Sequence, residues 1–120
     1  ANQEGVGRID STELLAHALR MRPDRLVIGE VRGREFGALL LAINNGHPAM
    51  ATLHSDSLGS LTRRLGVLGH IAGLEPALSS ELCRSIDLVI QLSNTKQRRV
   101  ESFARLVQGP SGLEAVEIEV

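Results

Sequence analysis

Two histidines, one glutamate and several arginines are the side chains of this 120-residue chain whose types and spacing could do chemistry. His47 and His54 stand seven residues apart in the stretch GHPAMATLHSDS, with an apolar run between them. They could be metal ligands, an acid–base pair, phosphate contacts or ordinary core residues. As a zinc pair they are poorly arranged: no cysteine stands beside them, the H-x-x-x-H helical spacing is missing, and the segment between them reads as a strand. His47 follows Gly46, a helix-ending glycine, where an imidazolium faces a helix C-terminus favourably. Glu30 closes the apolar run LVIG. A carboxylate there can orient a metal-bound water or accept a proton from an attacking one. It can equally cap the next helix or pair with Arg32 or Arg34. Gly29, just before it, permits a close backbone approach. Arg20, Arg22 and Arg25 carry the planar fork that suits phosphate, yet arginines near a helix end also make an ordinary solvated face. Arg63-Arg64 and the KQRR run from Lys96 to Arg99 read as surface.

The elements that must position these groups follow from punctuation and periodicity. Asp10 or Ser11 can cap a helix bearing Leu14, Leu15, Ala18 and Met21 on one face, which Pro23 ends. Leu26 to Gly29 is short and apolar, as in a strand buried on both faces. Phe36, Leu39, Leu40 and Ile43 fall at helical spacing from about Arg34 to Asn44, and Gly46 is the expected left-handed cap. Ala49 to Leu53 is a second strand. Leu58, Leu61, Leu65, Leu68 and Ala72 stripe a helix that Gly73 ends. Pro76 opens another, with Leu78, Leu82 and Ile86 in line. DLVIQLS is a third strand, NTKQ a turn, RRVESFARLV a fourth strand, and LEAVEIEV an alternating, half-buried one. Helices alternating with strands imply an α/β fold with a mostly parallel sheet flanked by helices. In such sheets, sites form at the carboxyl ends of strands, which is where Glu30 and His54 emerge.

Bulk properties exclude several classes. A chain of this size buries roughly 65% of its unfolded surface, enough for one core. Its net charge of −1 supplies no basic field for nucleic acid or anionic lipid. Phe36 and Phe103 are the only aromatics, too few for a base-stacking platform. Cys83 is the only cysteine, so no internal disulfide can form, and it reads as a small buried hydrophobe. FGALLLAI is too short to span a bilayer.

The run NQEGVGRIDSTELLAHALRMRPDRLVIGEVRGREFGALLLAINNGHPAMATLHSDS resembles the core of the secretion-superfamily ATPases of type II, type IV and tight-adherence pilus systems. LRMRPDRLVIGEVRG is most similar to the tight-adherence, CpaF-like branch. The likeness implies a partial RecA-like P-loop NTPase core over residues 1–93, with a C-terminal strand or hairpin extension over 94–120. LVIGE matches the Walker B strand, so Glu30 would help position Mg2+ and the attacking water. Gly46-His47 and Thr52-x-His54 match the histidine box, where His54, more than His47, would sense the γ-phosphate of ATP. Thr52 would support that strand end, with Gly29 and Arg32 beside the nucleotide. Arg20 and Arg22 match a basic pair at a subunit boundary, and Asn2 and Glu4 an N-x-E-G element. The spacing of His47 and His54 and the HSDS sequence, where HANS is usual, depart from many tight-adherence members. No G-x-x-x-x-G-K-[ST] occurs in the chain, and the likeness places that loop upstream.

What the resemblance implies is part of a homo-hexameric cytoplasmic ATPase, peripheral to the inner membrane. It would use ATP and Mg2+ to drive pilus assembly or secretion through inner-membrane platform proteins, with no direct nucleic-acid contact and no direct protein ligands to the metal. The alternative is a truncated, non-catalytic module docking into such a hexamer; a nucleic-acid motor is a third. Loss of upstream strands would leave apolar surface and a sheet edge exposed, so the isolated chain is expected to be marginally stable.

Overall fold

A computed structural model describes residues 11–93 and 97–119. Within them lie α1 (Ser11–Arg20), β1 (Leu26–Ile28), α2 (Glu35–Asn44), β2 (Ala49–Ala51), α3 (Leu58–Ile71), α4 (Pro76–Cys83), β3 (Val89–Leu92), β4 (Val100–Gly109) and β5 (Gly112–Ile118). Asn2, Glu4, the candidate cap Asp10 and residues 94–96 of the expected turn lie outside the described residues.

The central helices form where their apolar spacing requires. Phe36, Leu39 and Leu40 of α2 and Leu61, Leu65 and Leu68 of α3 bury into one cluster with Leu26, Leu82 and Cys83. Burying each large aliphatic or aromatic side chain stabilises the fold by roughly 1.5–3 kcal/mol. Gly46 and Gly73 end α2 and α3 with φ of +92° and +82°. In the first, His47 N–H donates back to Ala42 O and Gly46 N–H to Ile43 O, the paired bonds that close a helix on a left-handed residue. The start of α3 is fixed by two serines. Ser57 Oγ accepts from Ser60 N–H and Ser60 Oγ accepts from Ser57 N–H, both at 3.2 Å. α3 and α4 approach closely at Gly69, where a Cβ would stand 2.2 Å from Ser79 Oγ.

The fold is mixed α/β, but the expected mostly parallel sheet is not found among the described residues. β1 and β2 form a two-stranded parallel sheet, and β3, β4 and β5 form a separate antiparallel one. The cause lies in the connections. β3, β4 and β5 follow one another in the chain, β4 meeting β5 through the Pro110–Ser111 turn, and short connections suffice for antiparallel pairing whereas parallel pairing needs a crossover. Leu106 and Leu113 join this sheet to the main cluster.

Three finer expectations are also corrected. β1 is not buried on both faces: Leu26 is 5% exposed, but Val27 is 72% exposed, as is its partner Met50 at 62%. Among the described residues, the helices cover one face of the parallel pair. In α1, Leu15 is the buried residue while Leu14 and Met21 are exposed, Met21 lying beyond the helix end. α4 stops at Cys83, so Ile86 falls outside it, and the helix buries Ser79, Leu82 and Cys83 rather than Leu78.

Candidate functional site

β1 and β2 run side by side with Leu26 opposite Ala49 and Ile28 opposite Ala51, so their carboxyl ends open on one edge. Just past those ends, Thr52 grips both sides of Glu30. Its carbonyl accepts from Val31 N–H at 2.9 Å, and its hydroxyl donates to Gly29 O. The backbone of Glu30 is thereby bracketed by one residue of the neighbouring strand exit. Hydrogen bonds on both sides of a single residue restrict its φ and ψ more than a lone loop contact would.

The Glu30 side chain is partly buried and faces an arginine and a histidine. Arg32 Nη2 donates to Oε1 at 3.0 Å, and His54 Nε2 lies 3.4 Å from Oε2. The Arg32 hydrogen bond holds the Glu30 carboxyl below its ordinary range; the charges of Arg32, His54 and Arg64 act in the same direction, and partial desolvation opposes them. The same contact raises Arg32. The result is an ionised carboxylate at a strand end, flanked by an imidazole that is itself open to solvent at 87% exposure. Such an arrangement can accept or hold a proton from water and can report on an anion beside it.

Glu30 therefore pairs with Arg32, and the N-cap of α2, Arg34, makes no side-chain capping hydrogen bond; a different carboxylate ties down the loop before it. Glu35, only 8% exposed, accepts from Gly33 N–H at 2.9 Å and from Arg32 N–H at 3.4 Å. This closes the 30–34 loop against the start of α2. Its position as the first helical residue is where a carboxylate meets free amides, and that was the available sequence signal.

The other candidates stand elsewhere. Gly46 and His47 precede β2 while Thr52 and His54 follow it, so the two histidines stand at opposite ends of that strand. Arg20 and Arg22 are exposed ahead of β1, on the edge where the strands enter. Arg22 takes φ +51° there. The structure thus gathers Gly29, Glu30, Arg32, Thr52 and His54, and separates Gly46, His47, Arg20 and Arg22 from them.

Arg64 is the residue that the sequence left on the surface. Its Nε is buried and has no hydrogen-bond partner among the described residues, and its charge acts on Glu30. Among the described residues no group of three His, Cys, Asp or Glu could hold a metal, and no helix is long and apolar enough to cross a membrane. A cleft of about 370 Å³ lies apart, between α3, α4 and the β4–β5 turn; Arg63, His70, Ser79 and Cys83 line it, and none of the residues gathered around Glu30 does.

Comparison with known proteins places these features in context. The family described as "Type II/IV secretion system protein" matches residues 2–115. A Mycobacterium tuberculosis (strain CDC 1551 / Oshkosh) protein called "Putative conjugal transfer protein" is 38% identical over 122 residues, covering 98% of this chain and 35% of the relative. Conjugal transfer protein TrbB of Rhizobium radiobacter is 36% identical over 100 residues, 82% of this chain and 31% of the relative. Protein VirB11 of Agrobacterium fabrum is 41% identical over 54 residues, 44% of this chain and 16% of the relative. The chain spans about a third of the length of the curated relatives that match most of it.

Proposed function

This chain belongs to the type II/IV secretion system protein family, and from that membership we propose that it supplies the water-activating and phosphate-sensing edge of an ATP-hydrolysing motor. The observation that carries the reading is the 3.4 Å approach of His54 Nε2 to Glu30 Oε2 at the exits of two parallel strands. Strand carboxyl ends are where open α/β sheets bind ligands.

In this reading Glu30, kept ionised by Arg32, orients the attacking water and takes up its proton. His54 is the group that registers the terminal phosphate. Thr52 fixes both residues by tying the β1 exit to the β2 exit. Gly29 leaves the backbone open, since a Cβ there would meet nothing within 4 Å. His47, at the far end of β2, does not act with Glu30; with Gly46 it ends α2. Arg20 and Arg22, exposed at the opposite edge, are available to a neighbouring subunit.

Mg2+ fits this edge in one way. It keeps several waters and needs only one or two carboxylates beside phosphate oxygens. Glu30 with no cluster of protein ligands around it suits contact through water. The metal would neutralise charge developing on the phosphates.

The larger account is a RecA-like core working in a homo-hexamer on the cytoplasmic side of the inner membrane. It would couple hydrolysis to platform proteins of a secretion or pilus system. The conjugal-transfer names of two relatives support a secretion-type motor. Glu30→Gln in the protein that carries this chain tests the assignment. Turnover should fall at least a hundredfold with ATP affinity kept within about threefold, because the amide preserves shape and removes the base. Near-normal turnover overturns it.

A further inference from the structure

The cleft between α3, α4 and the β4–β5 turn takes no part in the Glu30–His54 edge, and its lining has a chemistry of its own. Arg63, Gly66 and His70 stand three and four residues apart, so they share one face of α3 and line one side of it. No carboxylate lines the cleft among the described residues. Glu114, which follows the lining residue Leu113, lies over Gly109 instead. Neither the Arg63 nor the His70 side chain makes an ion pair or hydrogen bond among the described residues. Thr62, Ser80 and Ser111 add hydroxyl donors, and Leu74 and Leu113 add apolar wall.

The glycines of α3 sharpen the point. A glycine weakens a helix interior, so each one there needs a reason. Gly69 has one in packing, since a Cβ would stand 2.2 Å from Ser79 Oγ. Gly66 has no such reason: a Cβ there meets nothing within 4 Å. Its bare backbone leaves the space between Arg63 and His70 open. The two side chains start about 10 Å apart along the helix axis, within reach of one small ligand. The cleft holds about 370 Å³, the size of a small-molecule pocket.

We propose that this cleft binds a small soluble phosphomonoester, its phosphoryl group held by Arg63 and His70 and its organic part laid against Leu74 and Leu113. The site is separate from the edge around Glu30 and does not depend on the nucleotide reading. Guanidinium suits the task because its planar fork matches phosphate oxygens and it stays charged. A phosphomonoester presents three terminal oxygens and close to about two negative charges, where a carboxylate presents two oxygens and one charge. A guanidinium, an imidazole and three hydroxyls around one cleft therefore favour the phosphoryl group.

The test follows the leucine methyl NMR signals of the protein carrying this chain, with phenyl phosphate as the probe. Phenyl phosphate at millimolar concentration should shift the Leu74 and Leu113 signals. Benzoate should need at least roughly tenfold more to do so, and phenol should leave them unmoved. Arg63→Gln should weaken phenyl phosphate binding at least roughly tenfold, the scale of a lost hydrogen bond to a charged group. Gly66→Leu, which fills the open space, should abolish the shifts while the melt stays cooperative. Glu30→Gln should bind the probe as wild type does, which keeps this site apart from the nucleotide edge. Unmoved signals, an equal response to benzoate, or wild-type affinity in Arg63→Gln overturns the site and leaves the nucleotide reading standing. A response to vesicles containing phosphatidic acid, with none to phenyl phosphate, gives the phosphoryl contacts to a lipid headgroup and overturns a soluble ligand. Should Gly66→Leu fail to fold, Arg63→Gln decides, because Arg63 is exposed.

Discussion

His54 Nε2 lies 3.4 Å from Glu30 Oε2, although 24 residues separate them in sequence. They meet because β1 and β2 are parallel and in register, so the segments that follow the two strands leave on the same edge. Thr52 then locks the two exits together through Val31 N–H and Gly29 O.

The lock is testable by itself. Thr52→Val removes the hydroxyl and keeps the branch. Loss of one such hydrogen bond costs about 0.5–1.5 kcal/mol, read as a lower urea midpoint. Turnover should drop further than that stability change explains, because Glu30 loses its bracket. Wild-type turnover in Thr52→Val would show that Glu30 needs no such support.

The pH behaviour of Glu30 has a definite sign. Its folded carboxyl titrates below the ordinary glutamate value because Arg32 donates to it. Its contribution to stability is therefore complete above the unfolded value and is lost as pH falls through the lowered folded value. Carboxyl carbon NMR should show Glu30 titrating below the ordinary glutamate value, and Arg32→Met should move it upward. No movement in Arg32→Met would remove the hydrogen bond as the cause.

Much of this architecture was legible in the sequence, and the failures have physical reasons. The stripe Phe36, Leu39 and Leu40 fixed α2 because three apolar side chains at helical spacing have one way to bury together. Gly46 and Gly73 marked helix ends because each takes a φ that other residues resist. Val27 misled, since an apolar strand residue looks the same whether its face is covered or bare. The partner of β3 was also hidden: a short apolar strand carries no label for parallel or antiparallel neighbours. Glu30 and His54 could be placed at one sheet edge because both follow apolar strands, and the structure brings them together there. Arg64 read as surface although its Nε is buried, because local sequence does not tell how far a helix arginine is covered by its neighbours.

The helix contact at Gly69 predicts opposite outcomes for two glycines of α3. Gly69→Ala drives a methyl into Ser79, whose Oγ and Cβ lie 2.2 and 2.9 Å from the new atom. It should destabilise by about 1–3 kcal/mol. At Gly66 a Cβ meets nothing within 4 Å, and Gly66→Ala should stabilise by up to about 1 kcal/mol through helix propensity. Denaturant melts of the two variants check both; equal shifts would contradict the α3–α4 packing.

Cys83 should be inert while the fold holds. Burial pushes its thiol up to about 11, with a Ser79 hydrogen bond offsetting part of the effect. At pH 8 a thiol reagent should label the folded chain at least a hundredfold more slowly than the urea-unfolded chain. Comparable rates would place Cys83 outside the core.

The central claim is that Glu30 and His54 act as one unit in ATP hydrolysis. A double-mutant cycle of Glu30→Gln and His54→Gln, read as ATP turnover in the protein that carries this chain, tests it most directly. Residues that act together lose no more when both are removed than when the more important one is. The account predicts that the double variant is within about threefold of Glu30→Gln alone. Turnover losses that multiply as independent factors would contradict it, and would leave the 3.4 Å approach without a catalytic meaning.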